Sequence, residues 1–369
     1  MEAQWLQLSD EFGPEKVILL TEPSTGLRGI LVVDNTAAGP AIGGIRMALD
    51  VTVDEVFRLA RAMTFKNAAA GLRHGGGKAG IIGDPDMPAA EKERLVRAFG
   101  VAIADIADYI PGPDMGIDEA CMAYLYDEIG RVVGLPKVMG GIPLDTLGAT
   151  GFGLAIAAEV AEELDFVRLE GAKVVVQGFG AVGTHAARFL ADRGAVIVAV
   201  SDSRGGVVND HGLDLDKLLP WKAEGHPVRG FGGGTAVFHD ELVGHPCDIW
   251  LPAARPDVFT ADNAADVDAR VVLPGANIAV TRAADEVFFD RGVLSIPDFI
   301  ANAGGVICGA VEYHGGTATQ AFQVIEEKIR ANTREVLESA RATDAMPSIA
   351  AAELAKRRVR ESMGYRRGF

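Results

Sequence analysis

Cysteine is scarce in this chain of 369 residues, which contains three of them. An odd number of widely separated cysteines fits neither a disulfide framework nor a zinc site. We therefore expect Cys121, Cys247 and Cys308 to be small buried apolar residues rather than nucleophiles, and we expect no metal site.

Long apolar runs and positive charge are also lacking. No uncharged apolar stretch approaches the roughly 18 residues that a membrane-spanning helix requires. Residues 1–5 lack the basic and then apolar layout of a signal peptide, so we expect a cytoplasmic protein. The net charge of −16 argues against a nucleic acid or an anionic membrane as partner, because like charges repel.

The length and composition indicate a globular chain of two domains, with 49% apolar and 23% charged residues. Apolar strands at 174–176, 195–200, 249–251 and 271–273 alternate with helices such as 182–193, which predicts a parallel sheet covered on both faces. The Gly- and Pro-rich stretch 138–150 looks like a hinge. We predict an α/β fold with domains at 1–145 and 146–315, and C-terminal helices at 316–369 that pack back on the first domain.

The first domain mixes strands and helices. Strands are predicted at 16–20 and 29–33, and a glycine cluster at 75–83 runs into a third strand. Thr52 and Glu55 have the spacing of a capping box that opens a helix. Amphipathic patterns predict two further helices at 88–108 and 117–133.

A glycine-rich turn lies between the first strand and the first helix of the regular pattern in the second domain, the setting in which G-x-G-x-x-G binds a dinucleotide. Its first glycine permits a tight turn, the second lets the pyrophosphate approach the backbone, and the third lets the helix pack on the strand. The next strand ends at Asp202, about 20 residues on, where a carboxylate binds the adenosine ribose. The predicted cofactor residues of the turn are Gly178, Phe179, Gly180, Ala181, Val182 and Gly183.

The choice between NAD and NADP depends on three consecutive residues. Asp202 would accept a hydrogen bond from the 2′-hydroxyl of NAD and repel the 2′-phosphate of NADP. Ser203 and Arg204 follow directly and could receive that phosphate. We expect NAD, with NADP as the open alternative.

Only 10 of the 35 basic residues are lysine, yet two of them lie in one apolar, glycine-rich segment, residues 63–80. The alanines and glycines around Lys66 would not solvate it, and the glycines around Lys78 let a ligand approach the backbone. A buried lysine beside a second cation has a lowered pKa and can act as a base near neutrality. Two ammonium groups also form a receptor for an α-keto or α-amino carboxylate. Asp114, in a turn rich in Gly and Pro, is a third candidate.

Over nearly its whole length the chain resembles the family of glutamate, leucine, phenylalanine and valine dehydrogenases. The resemblance implies an N-terminal substrate-binding and oligomerisation domain, a C-terminal Rossmann domain and a cleft between them. It also implies a homo-oligomer, a hexamer or an octamer. Besides the G-x-G-x-x-G turn, the matching motifs are Leu72-x-x-Gly75-Gly76-Gly77-Lys78-x-Gly80-x-x-x-Asp84-Pro85, Gly39-Pro40-x-x-Gly43-Gly44-Ile45-Arg46, Phe65-Lys66-Asn67, Asp114-Met115-Gly116, Ala149-Thr150-Gly151-Phe152-Gly153 and Asn302-Ala303-Gly304-Gly305-Val306.

The resemblance further implies a role for each matching residue. Lys66 would bind the substrate α-carboxylate, Lys78 would activate water and polarise the carbonyl, and Asp114 would exchange protons with the substrate nitrogen. The reaction would transfer a hydride from the α-carbon to the nicotinamide and yield a 2-oxo acid and ammonia. Met63, Gly43, Gly44 and Asn302 would line the substrate and nicotinamide cleft, Thr150 would hold the carboxamide, and Ala253 and Asn277 would border the cofactor.

The substrate side chain can be argued from four positions. Glutamate dehydrogenases carry a lysine and a serine for the distal carboxylate where this chain has Ile42 and Gly309. Burying that carboxylate against Ile42 without a partner would cost several kcal/mol, so glutamate is disfavoured. Gly112 and Gly309 are both small, which predicts a pocket for a large apolar or aromatic side chain unless Val306 or another residue fills the space.

Two alternatives for the substrate stay open. Residues 201–206 look more like those of glutamate-type members, which keeps glutamate as the second candidate. A preference for leucine or valine is the other. A non-catalytic homologue would be expected to lose Lys78 or Asp114, and an amine dehydrogenase to lose Lys66, but all three residues are present.

Overall fold

The computed structural model describes residues 9–366, which form two compact units. The first unit comprises the described residues up to Pro143, together with Val306–Ala321 and the residues from Ala352 onward. The second unit comprises Leu144–Gly305 and Phe322–Ala351. Residues 1–5, on which the prediction about a signal peptide depends, lie outside the described part of the chain. Within residues 9–366, no helix combines the length and the apolar character needed to cross a bilayer.

Between residues 9 and 143 the chain forms a five-stranded sheet flanked by helices. Its strands are β1 (Lys16–Glu22), β2 (Leu27–Asn35), β3 (Ala41–Ala48), β4 (Gly75–Ile82) and β5 (Tyr109–Gly112), and its α-helices are α1 (Val53–Ala69), α2 (Ala89–Ala102) and α3 (Glu119–Ile129). The strand order is β1-β2-β4-β3-β5. β1 and β4 run antiparallel to β2, whereas β3 runs parallel to both β4 and β5.

Helices cover both faces of this sheet. Leu31 of β2 belongs to a core cluster with Phe99 of α2. Its neighbour Ile30 points the other way and belongs to a second cluster with Val56 and Phe57 of α1. Because both faces are buried, β2 carries apolar residues almost without interruption.

The ends of these helices follow local chemistry. α1 begins as predicted, and the Thr52 side chain accepts a hydrogen bond from the Glu55 amide at 3.2 Å. α2 is shorter than the predicted 88–108 because the chain leaves the helix at Ile103. α3 is shorter than the predicted 117–133 because Gly130 adopts a left-handed conformation with φ of 65°, which ends a helix.

The second unit is built on a seven-stranded sheet. Its strands are β6 (Lys173–Gln177), β7 (Val196–Asp202), β8 (Gly205–Val208), β9 (Thr235–Val237), β10 (Ile249–Pro252), β11 (Val271–Val272) and β12 (Leu294–Ser295), in the order β12-β11-β10-β6-β7-β8-β9. The helices after residue 143 are α4 (Leu144–Leu147), α5 (Ala149–Glu163), α6 (Ala181–Ala191), α7 (Leu215–Ala223), α8 (Arg282–Asp290), α9 (Asp298–Ala301), α10 (Gly304–Tyr313), α11 (Ala318–Thr343) and α12 (Pro347–Met363).

The strands predicted to pair in parallel do so, and two antiparallel strands that were not predicted extend the sheet at one edge. β12, β11, β10, β6 and β7 are parallel, but β8 and β9 are antiparallel additions. Only two residues separate Asp202 from its partner Gly205, and a parallel crossover needs a dozen residues or more. A chain that turns back so tightly can only form a hairpin.

Residues 316–369 were predicted to pack on the first domain, but the described part of this segment divides between the two units. Phe322–Ala351, most of it in α11, belongs to the second unit. Ile329 of α11 contacts Gly153 of α5. A Cβ added at Gly153 would lie 2.4 Å from the Cδ1 atom of Ile329. Arg330 forms ion pairs with Glu159 and Glu163 of the same helix. An amphipathic pattern shows that α11 has a buried face but does not show which domain covers it.

Candidate active site

One face of the sheet in the first unit brings several of the predicted site residues together. In the β3–β4 register, Ile42 lies opposite Gly76 and Arg46 opposite Gly80. In the β3–β5 register, Gly44 lies opposite Gly112. Residues two apart on a strand point to the same side. The face therefore presents Ile42, Gly44 and Arg46 from β3, Lys78 from β4 and Gly112 from β5.

Lys78 and Asp114 form an ion pair on this face. The Lys78 Nζ atom lies 2.8 Å from Asp114 Oδ2, and the Lys78 residue is 6% exposed. Arg46 Nε donates to the same carboxylate oxygen at 3.0 Å, and its Nη1 atom donates to Glu55 at 2.6 Å. The sequence did not predict a role for Arg46. Its position two residues after Gly44 on the same strand was the available signal.

Glycines 43 and 44 leave the room that this pair needs. A Cβ on Gly44 would lie 2.8 Å from the Asp114 Cβ and 3.3 Å from the Lys78 Nζ. A Cβ on Gly43 would lie 1.6 Å from the Gly77 carbonyl oxygen, so β3 and β4 could not approach as they do. The space above Gly44 is thus bordered by an ammonium and a carboxylate.

The pKa values of the pair follow from its surroundings. Burial lowers the pKa of Lys78 below the ordinary lysine value, the carboxylate of Asp114 opposes that shift, and the charge of Arg46 adds to it. Burial alone would raise the pKa of Asp114, but Lys78 and Arg46 outweigh it and hold that pKa below its ordinary value. The arrangement therefore offers an ionised carboxylate in contact with a lysine that gives up its proton more readily than usual.

Lys66 and Met63 are both on α1, three residues apart and hence on one side of the helix. Both side chains are half-buried. The next residue, Asn67, is fully buried and donates to the Gly75 carbonyl at 2.7 Å, which fixes the last turn of α1 against β4. α1 can come this close because a Cβ on Gly76 would lie 2.0 Å from the Thr64 nitrogen.

Val133 occupies the space beside the two small residues from which a large pocket was predicted. A Cβ on Gly112 would lie 2.9 Å from the Val133 Cγ2 atom, and one on Gly309 would lie 3.6 Å from its Cβ atom. Val133 is 6% exposed, and its amide donates to the Pro111 carbonyl at 2.9 Å. The glycines therefore do not enlarge the pocket by the full volume of two side chains. The predicted helix 117–133 included Val133, but α3 ends at Ile129 and Val133 lies in the irregular loop beyond it, where no motif marked it as a pocket residue.

Glu312 fixes the loop that carries Val133. One carboxylate oxygen accepts hydrogen bonds from the amides of Gly134 and Leu135 at 2.7 and 3.0 Å, and the other accepts from the amide of Ile142 at 2.8 Å. Glu312 belongs to α10, as do Val306, which is half-buried, and Gly309. The loop and this part of α10 are thus joined by charge-assisted hydrogen bonds.

The glycine-rich turn of the second unit has the geometry that a dinucleotide requires. Gly178 directly follows β6 and has φ of 90°. A Cβ added there would lie 2.7 Å from the Ala253 carbonyl carbon, just beyond the end of the neighbouring strand β10. A Cβ on Gly183 would lie 2.0 Å from the Gly178 carbonyl oxygen, so α6 could not pack so close. Nothing lies within 4 Å of a Cβ on Gly180, which begins α6 without a side-chain cap. These residues fit a pyrophosphate at the helix N-terminus.

The residues between the first and last glycines of this turn differ in exposure. Phe179 is fully buried, which anchors the turn in the core of the second unit. Gly180 and Ala181 are exposed, and Val182 is half-buried. The turn is further held by Ser201, whose carbonyl accepts from the Gly178 and Phe179 amides at 2.8 and 2.7 Å.

The Asp202 carboxylate, at the end of β7, accepts hydrogen bonds within the protein that the sequence does not predict. It accepts hydrogen bonds from Lys222 Nζ at 2.5 Å, from the Arg204 amide at 2.9 Å and from the Val228 amide at 3.1 Å. Burial alone would raise the pKa of Asp202, but these donors outweigh it and lower that pKa. Ser203 and Arg204 are exposed. Lys222, on α7, was not anticipated, because nothing in the sequence connects it with Asp202.

Lys222 also lines a cavity beside the glycine-rich turn. The cavity measures about 360 Å³ and is bordered by Gly180 of the turn and by Arg188 of α6. Two basic side chains thus face the same space as the start of α6, which favours an anionic group there.

The two remaining motifs of the second unit lie against each other. The Asn302 side chain donates to Asn277 Oδ1 at 3.0 Å and to the Gly275 carbonyl at 3.3 Å. Just beyond it, a Cβ on Gly304 would lie 2.1 Å from the Ala149 carbonyl oxygen, and one on Gly305 would lie 3.3 Å from Thr150 Oγ1. The predicted substrate and cofactor residues therefore fall into two groups, one in each unit, with Asn302 in the second.

Two segments of the chain match known protein families. Residues 140–367 match the family described as Glutamate/Leucine/Phenylalanine/Valine dehydrogenase, and residues 14–131 match its dimerisation domain. A glutamate dehydrogenase from Aeropyrum pernix is 39% identical over 322 residues, which cover 82% of this chain and 77% of that protein.

Solved structures agree with these matches. The hetero-hexameric glutamate dehydrogenase from Thermus thermophilus, in a leucine-bound form, is similar with a TM-score of 0.85 and 28% identity, covering 96% of this chain and 91% of that one. An L-tryptophan dehydrogenase from Nostoc punctiforme is similar with a TM-score of 0.77 and 26% identity, covering 97% and 99%.

The ion pair predicts how Lys78 responds when its partner loses charge. In Asp114→Asn the burial of Lys78 stays and the opposing carboxylate disappears, so the pKa of Lys78 falls further. The measurement is the pH dependence of Lys78 modification by an amine-reactive reagent, followed by mass spectrometry. Asp118→Asn is the matched control, since it removes one charge nearby and asparagine still caps α3. An unchanged or raised midpoint in Asp114→Asn alone would contradict the assignment.

Proposed function

Since the chain belongs to the family of glutamate, leucine, phenylalanine and valine dehydrogenases and is an amino-acid dehydrogenase, we propose that it deaminates an L-amino acid with an apolar side chain. The products are the 2-oxo acid and ammonia, and the reaction is reversible. The observation that carries the substrate proposal is Ile42, which is 5% exposed and lies on the same sheet face as Lys78.

The proposed roles are those that the family resemblance implies, and the contact between Lys78 and Asp114 in the first unit supports them. Lys66 binds the substrate α-carboxylate at the edge of α1. Lys78 holds a proton that its lowered pKa makes available, and with that proton released it activates the water that hydrolyses the imino acid. Asp114, 2.8 Å away, exchanges protons with the substrate nitrogen. Bound NAD(P), held by the glycine-rich turn, supplies the acceptor for the hydride from the α-carbon.

The preference for an apolar side chain rests on missing partners. A glutamate side chain directed at Ile42 and Gly309 would meet neither a cation nor a hydroxyl from those two residues. An unpaired buried carboxylate costs several kcal/mol. We therefore place large apolar side chains, including aromatic ones, first, with Val133 limiting their size. Glutamate is the second candidate, because the Aeropyrum pernix relative carries that name.

For the nucleotide we propose NAD, with NADP also accepted. Asp202 is ionised and stands at the end of β7, where it can accept a hydrogen bond from the ribose 2′-hydroxyl. Lys222 neutralises much of the charge that would repel a 2′-phosphate. This pair therefore weakens the discrimination that an unpaired aspartate would impose.

We also propose that the chain forms a homo-oligomer. The match to a dimerisation domain over residues 14–131 supports self-association. The Thermus thermophilus relative is hetero-hexameric, so a hexamer is one assembly that this fold supports.

The substrate proposal predicts the outcome of an amino-acid panel. Leucine, phenylalanine, valine and glutamate are compared by kcat/KM with NAD and with NADP, and we expect the glutamate value to be about 100-fold or more below the best apolar one. Ile42→Lys should raise the ratio of glutamate to leucine by at least about tenfold, because it supplies a partner for the distal carboxylate. Ile42→Met is the control for volume. A preference of the native protein for glutamate would sink the argument.

Val133 predicts how the pocket can be widened. Val133→Ala removes the side chain that lies against Gly112 and Gly309, so kcat/KM for phenylalanine should rise relative to valine by roughly three- to tenfold. Val132→Ala is the matched control, since Val132 is equally buried but belongs to the core under the sheet. If both variants change the ratio alike, Val133 does not border the substrate.

Lys222 predicts the response to the two nucleotides. Lys222→Met leaves Asp202 without its cation, so kcat/KM with NADP should fall about tenfold or more, while that with NAD changes far less. Lys217→Met on the same helix is the control, because it removes the same charge from an exposed position. Equal losses with both nucleotides would show that Lys222 acts on stability and not on the 2′-phosphate.

A further inference from the structure

Two histidines of the first unit meet at the ends of the elements that carry the substrate pocket. His74 directly precedes β4, which carries Lys78, and His314 directly follows α10, which carries Gly309. Their Nε2 atoms are 3.1 Å apart, and their ring centroids are 5.1 Å apart. His74 is 2% exposed, whereas His314 is exposed. The proposed roles in the reaction use neither residue.

The hydrogen positions in this pair can be deduced. His74 Nδ1 lies 3.1 Å from the Pro40 carbonyl oxygen, which can only accept, so Nδ1 carries a hydrogen. In neutral His74 the Nε2 atom is then an acceptor, and His314 Nε2 must donate to it. One added proton leaves a donor on one ring and an acceptor on the other. Two added protons bring two N–H groups face to face at 3.1 Å, and the hydrogen bond is lost.

The surroundings of the pair make the second proton costly. Burial lowers the pKa of His74, and the charge of His314 lowers it further. The Tyr313 ring stands edge-on to His74 with centroids 5.6 Å apart. A cavity of about 300 Å³ reaches His74 and is lined by Arg358 and Glu361 of α12 and by Tyr365, which follows that helix.

The other charged groups near the pair either bind different partners or are exposed. Arg358 donates to the Ala69 carbonyl at 2.6 Å. On α10, the Glu312 carboxylate is taken up by three amides of the 134–142 loop. Arg73, the chain neighbour of His74, is exposed.

We propose that His74 and His314 are positioning residues for the substrate pocket, and that the pair releases α10 when both rings carry a proton. This inference rests on the proposed function, since it takes Gly309 and Val133 as pocket residues. Release at His314 loosens the end of α10 five residues beyond Gly309, while Glu312 keeps the helix attached to the loop of Val133. The effect falls on substrate affinity and leaves the ion pair of Lys78 and Asp114 in place.

The sign of the pH dependence follows from proton linkage. The released state binds one proton more than the paired state, so lower pH favours release. An isolated histidine titrates at about pH 6.5, and burial together with the charge of His314 holds the pKa of His74 below its ordinary value. KM for the 2-oxo acid should therefore rise as the pH falls below about 6.5, with kcat less affected.

The test compares two variants of His314. His314→Gln keeps an N–H donor for His74 and cannot be protonated, so KM should stay low across pH 5.5 to 8, an interval of about one unit or more on either side of the histidine pKa. His314→Leu removes the donor, so KM should be raised at all pH values by roughly two- to tenfold, the value of one hydrogen bond. His211→Gln, at an exposed site in the second unit, should reproduce the native profile.

Hydrogen–deuterium exchange gives a second readout that does not need turnover. At one neutral pH, His314→Leu should exchange faster than the native chain over residues 71–75 and 306–314, and His314→Gln should not. Equal exchange in all three proteins would overturn the pair as a clamp. Faster exchange with an unchanged KM profile would overturn its role in positioning. Absence of turnover with every amino acid would refute the proposed function instead, and the exchange data would still decide whether the pair holds α10.

Discussion

The buried ammonium of Lys78 is the constraint on which the arrangement of the candidate site in the first unit depends. A charge at 6% exposure survives only with partners, and Asp114 at 2.8 Å and the network through Arg46 and Glu55 provide them. The backbone must leave room for this network, which is why glycines stand at positions 43 and 44 and why β3 and β4 can lie so close. The charged network and the glycines therefore depend on each other, because a side chain at position 44 would collide with Asp114 and crowd Lys78.

In the second unit, the dipole at the start of a helix favours a negatively charged group without a buried ion pair. The glycines at 178, 180 and 183 bring a strand end, a turn and a helix start together without side chains between them. The start of α6 then faces a cavity that Arg188 and Lys222 also border. Asp202 and Lys222 show that a motif residue and its electrostatic partner can be 20 residues apart on different elements. Under the function proposed above, specificity for the nucleotide would depend on this pair and not on the aspartate alone.

Much of this molecule could be predicted from sequence where local chemistry decides the outcome. Thr52 caps α1, Gly178 begins the tight turn, and the apolar strands of the second sheet pair in parallel, because each depends on neighbours along the chain. The family and the two-domain α/β fold were likewise predicted correctly. The sequence did not predict the antiparallel strands β8 and β9, the unit to which most of α11 belongs, or the side chain that lies beside Gly112. A pattern on one element shows that a surface is buried but does not identify what buries it.

The contact of Val133 with both Gly112 and Gly309 limits the order in which these positions can be substituted during evolution. The three positions share one volume, although they are far apart in the chain. A methyl group gained at 112 would collide with Val133, so that substitution becomes tolerable only after residue 133 has shrunk. The reverse order passes through a clash. Substitutions in this region would therefore occur in a preferred order, first at residue 133 in the loop and then at residue 112 in the strand.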